Sequence, residues 1–202
     1  MNNRQQLWRL VRCLLLCAVF SGCSLSSSPI NYYSLVDIDG ISQEEAKKPG
    51  LTIAVGPVTL SDVLSRSQVT IGGKGGSYNR SESHRWAGKL DRDFARAVGE
   101  QLAKNLETDS IVFYPTTQHV TPDWQVSLDI LAMDGELDEE AILVVRYNLI
   151  DPKTKKQTFI RRSVFRQDLS GGGVGEWVKA QRENVKSLGV EISSNIKTPM
   201  QK

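Results

Sequence analysis

Ala141-Ile-Leu-Val-Val-Arg-Tyr-Asn-Leu-Ile150, Asp151-Pro-Lys-Thr-Lys-Lys156 and Thr158-Phe-Ile-Arg-Arg-Ser-Val-Phe-Arg-Gln167 follow one another along the chain, and their reading decides the fold. The outer two runs are rich in β-branched and aromatic residues, the composition that fits a pleated, half-buried surface. The middle run is a turn: Pro152 fixes its own φ, and the Asp151 carboxylate can accept local amide protons. Two strands joined by so short a link must pair antiparallel. Upstream, Trp124, Val126, Leu128 and Ile130 alternate with Gln125, Ser127 and Asp129, a period of two that marks another half-buried strand. The acidic cluster Asp134, Glu136, Asp138, Glu139 and Glu140 falls between these strands. It lacks the spaced oxygen ligands and central glycine of an EF-hand loop and reads as a solvated hairpin tip.

Two helical stretches flank this β-rich centre. Trp86, Leu90, Phe94, Val98, Leu102 and Leu106 recur every four residues, predicting a helix from His84 to Glu107 with Ser81-Glu82-Ser83 capping its start. Trp86 and Phe94 read as core anchors. After Gly171-Gly172-Gly173, a second stripe of Trp177, Val178, Gln181, Val185, Leu188, Ile192 and Ile196 predicts a closing helix. Ahead of the first helix come short strands at Tyr32–Val36, at Leu51–Val55 with Pro57 ending or bending it, and at Ser67–Ile71. Ile111–Tyr114, broken at Pro115, is one more. An acidic, Gly- and Pro-containing connection covers residues 37–50. The expected fold is a single α+β domain over residues 32–197, with a mixed, mostly antiparallel sheet and both long amphipathic helices on one face; residues 198–202 form a tail.

The N-terminus has the layout of an export signal. Arg4, Arg9 and Arg12 precede the apolar run Cys13–Phe20 with no acid among them, and Ser21-Gly22-Cys23 closes it. The run is far short of the ~20 residues a spanning helix needs. Small-small-Cys resembles a lipobox, although Phe20 stands where Leu is commonest, so cleavage is expected after residue 22 with lipid attached to Cys23. Cys13 and Cys17 would leave with the signal 1–22, and the one remaining thiol would be consumed by its thioether, which excludes a disulfide framework. Residues 23–31 then form a small, polar tether; its stretch from residue 24 reaches at most ~28 Å when extended. Of the 25 basic residues, the three arginines depart with the signal, leaving 22 against 23 acidic ones. A near-neutral chain without Lys/Arg clusters offers no footprint for nucleic acid.

Sites of chemistry are sparse. Gly72-Gly73-Lys74-Gly75-Gly76-Ser77 resembles a phosphate loop only superficially, because Lys74 sits between glycine pairs and no helix is expected at Ser77; a hairpin tip is the better reading. His84 and His119 are far apart and neither has a second ligand nearby in sequence, so no metal site is expected. No G-x-S-x-G elbow occurs, and no catalytic residue is assigned.

Several segments taken in order carry a family likeness. They are Cys23; Asn31-Tyr-Tyr-Ser-Leu35; Val55-Gly-Pro-Val-Thr-Leu60 leading to Asp62-Val-Leu-Ser-Arg66; Arg85-Trp-Ala-Gly-Lys-Leu90; Leu102-Ala-Lys-Asn-Leu106; and a terminal helix from Gln181 to Ile196. Together they resemble the ABC-type transport auxiliary lipoproteins, which include the paraquat-inducible intermembrane transport lipoproteins of Gram-negative bacteria. Ser61 departs from the Pro often found there, and the loop Gly72–Gly76 is looser than usual. The resemblance implies a non-enzymatic accessory subunit, without a cofactor beyond the N-acyl and S-diacylglycerol groups on Cys23. It implies a location on the periplasmic face of the outer membrane, with Ser24 permitting outward sorting where Asp would retain the protein at the inner membrane. The implied partners are an MCE-domain periplasmic protein and an inner-membrane transport component, and a homo-oligomer is compatible with it. Asp62, Val63, Leu64 and Arg66 are the candidate contact residues, packing over the sheet edge being the alternative for the apolar pair. An envelope structural lipoprotein or hydrolase sharing the fold, or a lipid carrier with an enclosed pocket, remain the other readings.

Overall fold

The computed structural model describes residues 29–36, 50–115, 120–154 and 156–196. The signal 1–22, Cys23, Ser24 and most of the tether lie outside the described residues, as do residues 37–49, His119 and the tail. The strands are β1 (Asn31–Tyr33), β2 (Ile53–Leu60), β3 (Gln68–Gly72), β4 (Tyr78–Trp86), β5 (Ile111–Phe113), β6 (Trp124–Glu136), β7 (Glu140–Asp151) and β8 (Lys156–Asp168); the helices are α1 (Leu90–Asn105) and α2 (Val174–Asn195).

The backbone of the sheet is the antiparallel meander β6–β7–β8, paired from Gln125↔Ile150 to Glu136↔Glu140 and from Glu140↔Asp168 to Asp151↔Lys156, with register shifts after Ile130 and after Leu149. Its second turn forms by the expected chemistry: the Asp151 carboxylate accepts from the Lys153 amide at 2.9 Å and from the Thr154 hydroxyl at 3.0 Å. Hydrogen bonding to the anionic form, the Lys153 amide first, holds the Asp151 pKa below its usual range. The free edge of β6 is divided between two strands. β2 runs parallel to its first half, from Ile53↔Trp124 to Leu60↔Ile130, while β3 meets its second half at Gly72↔Asp134. β5 extends the first branch beside β2, and β4 and β1 extend the second. The sheet is therefore mixed: β1/β4, β2/β5, β2/β6 and β3/β6 are parallel, the rest antiparallel.

Both helices lie against one face and touch each other. Along β7 the side chains Ala141, Leu143, Val145, Tyr147 and Leu149 are fully covered, while Arg146 between them is exposed. This is the period of two that a one-sided sheet requires. The whole stripe expected on α2 is buried, from Trp177 through Ile196. Gly189 allows the close crossing: a Cβ there would lie 2.4 Å from the Cβ of Gln101 on α1.

Two expectations are corrected, and a third is decided between its two alternatives. The first helix begins at Leu90, not His84, because Ser81-Glu82-Ser83 and the residues up to Trp86 are committed to β4, which pairs with both β3 and β1. Trp86 shares the four-residue spacing by coincidence: it faces the core from a strand end, and the turn Ala87–Lys89 brings Leu90 to the same side. Trp86 and Phe94 are nonetheless both core residues, with 4 % and 0 % exposure. Pro57 bends its strand without ending it. Pairing shifts register between Val55 and Val58 and then resumes, with Gly56 at φ 115°, a region that suits glycine. Asp134, Glu136 and Glu140 belong to β6 and β7 themselves, so only Leu137–Glu139 form the tip.

Candidate docking surfaces

The chain enters the domain through a clasp. β1 pairs in parallel with the end of β4, Tyr33 opposite Trp86, and the Ala87 amide donates to the Tyr33 carbonyl at 2.7 Å. The backbone beyond it is tied to both helices. Asp93 of α1 accepts from the Ser34 hydroxyl at 2.7 Å and from the Leu35 amide at 2.6 Å, and Arg182 of α2 donates through Nε to the Ser34 carbonyl at 3.0 Å. Leu35 is buried beneath these bonds. Charge-assisted hydrogen bonds of this kind contribute more than neutral ones. Residues from separate parts of the sequence, Tyr33-Ser34-Leu35, Trp86 and the start of α1, thus meet where the N-terminal segment joins the fold. Asp93 and Arg182 were missed from sequence, because on a helix pattern each is simply a polar position off the apolar stripe.

The turn Ser61–Ser67 sits where β2 leaves the edge of β6, and the Ser61 amide donates to the Ile130 carbonyl at 3.2 Å. The four candidate contact residues do not share one environment. Asp62 and Arg66 are exposed and Val63 is half-buried, but Leu64 is only 4 % exposed and belongs to the core. Leu64 is therefore withdrawn from the contact set; it follows the packing alternative.

The two hairpin tips, Gly73–Ser77 and Leu137–Glu139, enclose a cleft of ≈ 410 Å³ lined by Lys74, Asn79, Glu136 and Asp138 among others. Lys74 pairs with Glu139 across it at 3.5 Å, both largely exposed, so the bond adds little stability. The glycine cluster is a hairpin tip, as expected, joining β3 to β4 with the Gly73 amide donating to the Ser77 carbonyl. Nearby, Asp134 projects toward Gly72, where a Cβ would collide with its carboxylate at 2.1 Å. Burial raises the Asp134 pKa, opposed by the Gly72 amide, and its Oδ1 has no hydrogen-bond partner.

No set of three metal-ligating side chains occurs among the described residues. His84 hydrogen-bonds through Nδ1 with the hydroxyls of Ser81 at 2.7 Å and Ser83 at 3.1 Å and stacks on Tyr33. The most connected polar cluster is under α2: Glu191 accepts from Tyr147 at 2.9 Å and Ser163 at 2.5 Å and pairs with Arg161 at 3.4 Å. Burial first, then this carboxylate, pushes the Tyr147 hydroxyl far above its ordinary range. A phenol held so firmly protonated is a donor that fixes the helix to the sheet. No helix among the described residues is long and apolar enough to cross a membrane.

The opposite face of the meander is uncovered among the described residues. Ile142, Val144 and Arg146 on β7, and Ile160, Arg162, Val164 and Arg166 on β8, occupy the positions that alternate with the buried row. Ile160 and Val164 are 57 % and 51 % exposed.

The sequence matches the family model described as the ABC-type transport auxiliary lipoprotein component over residues 33–193. Among solved structures the chain resembles an uncharacterized protein at 15 % identity and a TM-score of 0.67, with 84 % of this chain and 100 % of that one covered. It also resembles a Xanthomonas campestris protein of the family DUF330 at 9 % identity and a TM-score of 0.60, with 83 % and 91 % covered. At these identities the structural likeness speaks for the fold alone. No curated protein matches the chain.

Proposed function

Because the chain belongs to the ABC-type transport auxiliary lipoprotein family, we propose that it is the outer-membrane-anchored, non-enzymatic accessory subunit of an MCE-type intermembrane lipid transport system. The observation that carries this reading is the clasp. A chain segment arriving from the N-terminal side is fastened to α1 by Asp93 and to α2 by Arg182, so a lipid on Cys23 would hold a rigid body and not a loosely hung one. Acyl chains contribute about 0.8 kcal/mol per buried methylene, and several chains on one cysteine make a firm anchor. Ser24 fits sorting to the outer membrane. There the domain supplies position: it docks the periplasmic MCE-domain protein whose other end meets the inner-membrane transport component. Asp62, Val63 and Arg66 on the exposed turn are one contact candidate.

The test is in cells. The protein is expected to incorporate labelled palmitate, to band with outer membranes on a density gradient, and to co-purify with the MCE-domain protein after mild detergent. Cys23→Ser should abolish labelling and release the protein by osmotic shock. An unlabelled, freely released wild-type protein overturns the anchoring. A labelled protein that brings down no MCE-domain partner overturns the transport role.

A further inference from the structure

The uncovered face of the meander carries an unusual charge arrangement. Arg146 and Arg162 stand directly opposite each other on the antiparallel pair β7/β8. Like charges in that relation are destabilising. Arg146 is answered by Asp129 on β6 at 3.6 Å, and two rows away Arg166 is held by both oxygens of Glu140 at 2.8 and 2.9 Å. Arg162 is exposed and has no hydrogen-bonding or ionic partner among the described residues. On its own strand it is flanked by Ile160 and Val164, the two most exposed aliphatic side chains of the sheet, and Val144 stands opposite Val164. At Gly72 the absent side chain leaves room for Tyr78, 53 % exposed, beside Asp134 on the neighbouring strands.

The geometry points to this face, centred on Arg162, as the docking surface for a protein segment that offers a carboxylate between aliphatic side chains. The inference rests on the docking function proposed above and names the part of the domain that performs it. A bidentate carboxylate would neutralise the unanswered guanidinium and relieve its opposition to Arg146, while Ile160, Val164 and Val144 supply the apolar surround that excludes water from such a pair. Two other occupants fit less well. An anionic bilayer meets mixed signs here, because Asp129 shares a row with Arg146 and Arg162, Asp134 shares one with Arg166, and Glu140 and Asp168 form the next. A second copy docking the same face by a two-fold axis through its centre brings one Arg162 toward the other.

The experiment uses the full lipidated chain in cells that also make the MCE-domain protein. Arg162→Glu is expected to lower recovery of that protein at least tenfold, whereas Lys104→Glu on the exposed side of α1 leaves it unchanged; equal melting temperatures exclude unfolding as the cause. In a second arm, Val164→p-benzoylphenylalanine is photolysed in intact cells. A crosslink to the MCE-domain protein supports the assignment. A crosslink to lipid or to another copy of this chain, or no crosslink, overturns it. Undiminished recovery with Arg162→Glu overturns the assignment but leaves the docking function standing, while failure of the unaltered chain to recover the partner overturns both.

Discussion

Both faces of the β6–β7–β8 meander carry β-branched aliphatic side chains by the same alternation, the outer ones set among charges, yet one face is sealed and the other is open. On the helix side, Leu143, Val145, Tyr147 and Leu149 lie under α2, and the polar donors of the helix find carbonyls: Trp177 Nε1 donates to the Asp134 carbonyl at 3.1 Å, Gln181 to the Ile142 carbonyl at 3.0 Å and Asn184 to the Ala141 carbonyl at 3.0 Å. On the other side, among the described residues, Ile142, Val144, Ile160 and Val164 have no second layer and Arg162 has no partner. Aliphatic side chains contribute to folding only where a partner layer removes them from water. Hydrophobic content therefore does not identify a core; the covering element does. The inner face holds the domain together, and the outer one is free to be used.

The largest test of that contrast is Trp177→Ala. It empties the centre of the sealed face and removes a donor to the Asp134 carbonyl, and should destabilise by about 3–5 kcal/mol, read as a lower urea midpoint with an unchanged slope. A loss under 1 kcal/mol would break the claim that α2 seals the sheet. Next comes Gly189→Val. Its side chain must occupy space held by Gln101, and overpacking of this kind costs about 1–3 kcal/mol, visible as a lowered melting temperature with the secondary-structure signal retained. Asp134→Asn probes the border between branches of the sheet. Burial raises the Asp134 pKa above its ordinary value of 3.8, so the folded state binds the proton more tightly than the unfolded one. The penalty on folding is absent at lower pH and grows as pH rises from 3.8 through the raised value. The amide should therefore raise the melting temperature at pH 7, by at most about 4 °C, and lose that advantage near pH 3; equal gains at both pH values would refute a titrating origin. The smallest effect belongs to the open face: Ile160→Ser with Val164→Ser should change stability by no more than about 0.5 kcal/mol, and a loss comparable to that of Trp177→Ala would show that this face is covered after all.

The meander and α2 were legible because each carries its own period and its own punctuation: strict alternation from Trp124 to Ile130, the Asp151-Pro152 turn, the glycine run before Val174. The start of α1 was not. Trp86 and Leu90 satisfy a helical spacing by chance, and nothing local in Ser81–Trp86 discloses that β1, some fifty residues upstream, pairs with that segment. Leu64 was misplaced for a related reason. An apolar residue in a turn gives no sign of which way it faces, and its burial is set by the junction where β2 gives way to β3 along β6.

The elements whose signals are local, the α+β class and the family matched over residues 33–193 are all legible along the chain. It takes the folded chain to show that Asp93 and Arg182 close on Ser34 and Leu35, that Leu64 turns inward, and that Arg162 has no partner among the described residues. These are relations between groups distant along the chain. Periodicity and turn chemistry act within a few residues, whereas hydrogen bonding, burial and charge pairing depend on which strand comes to lie beside which.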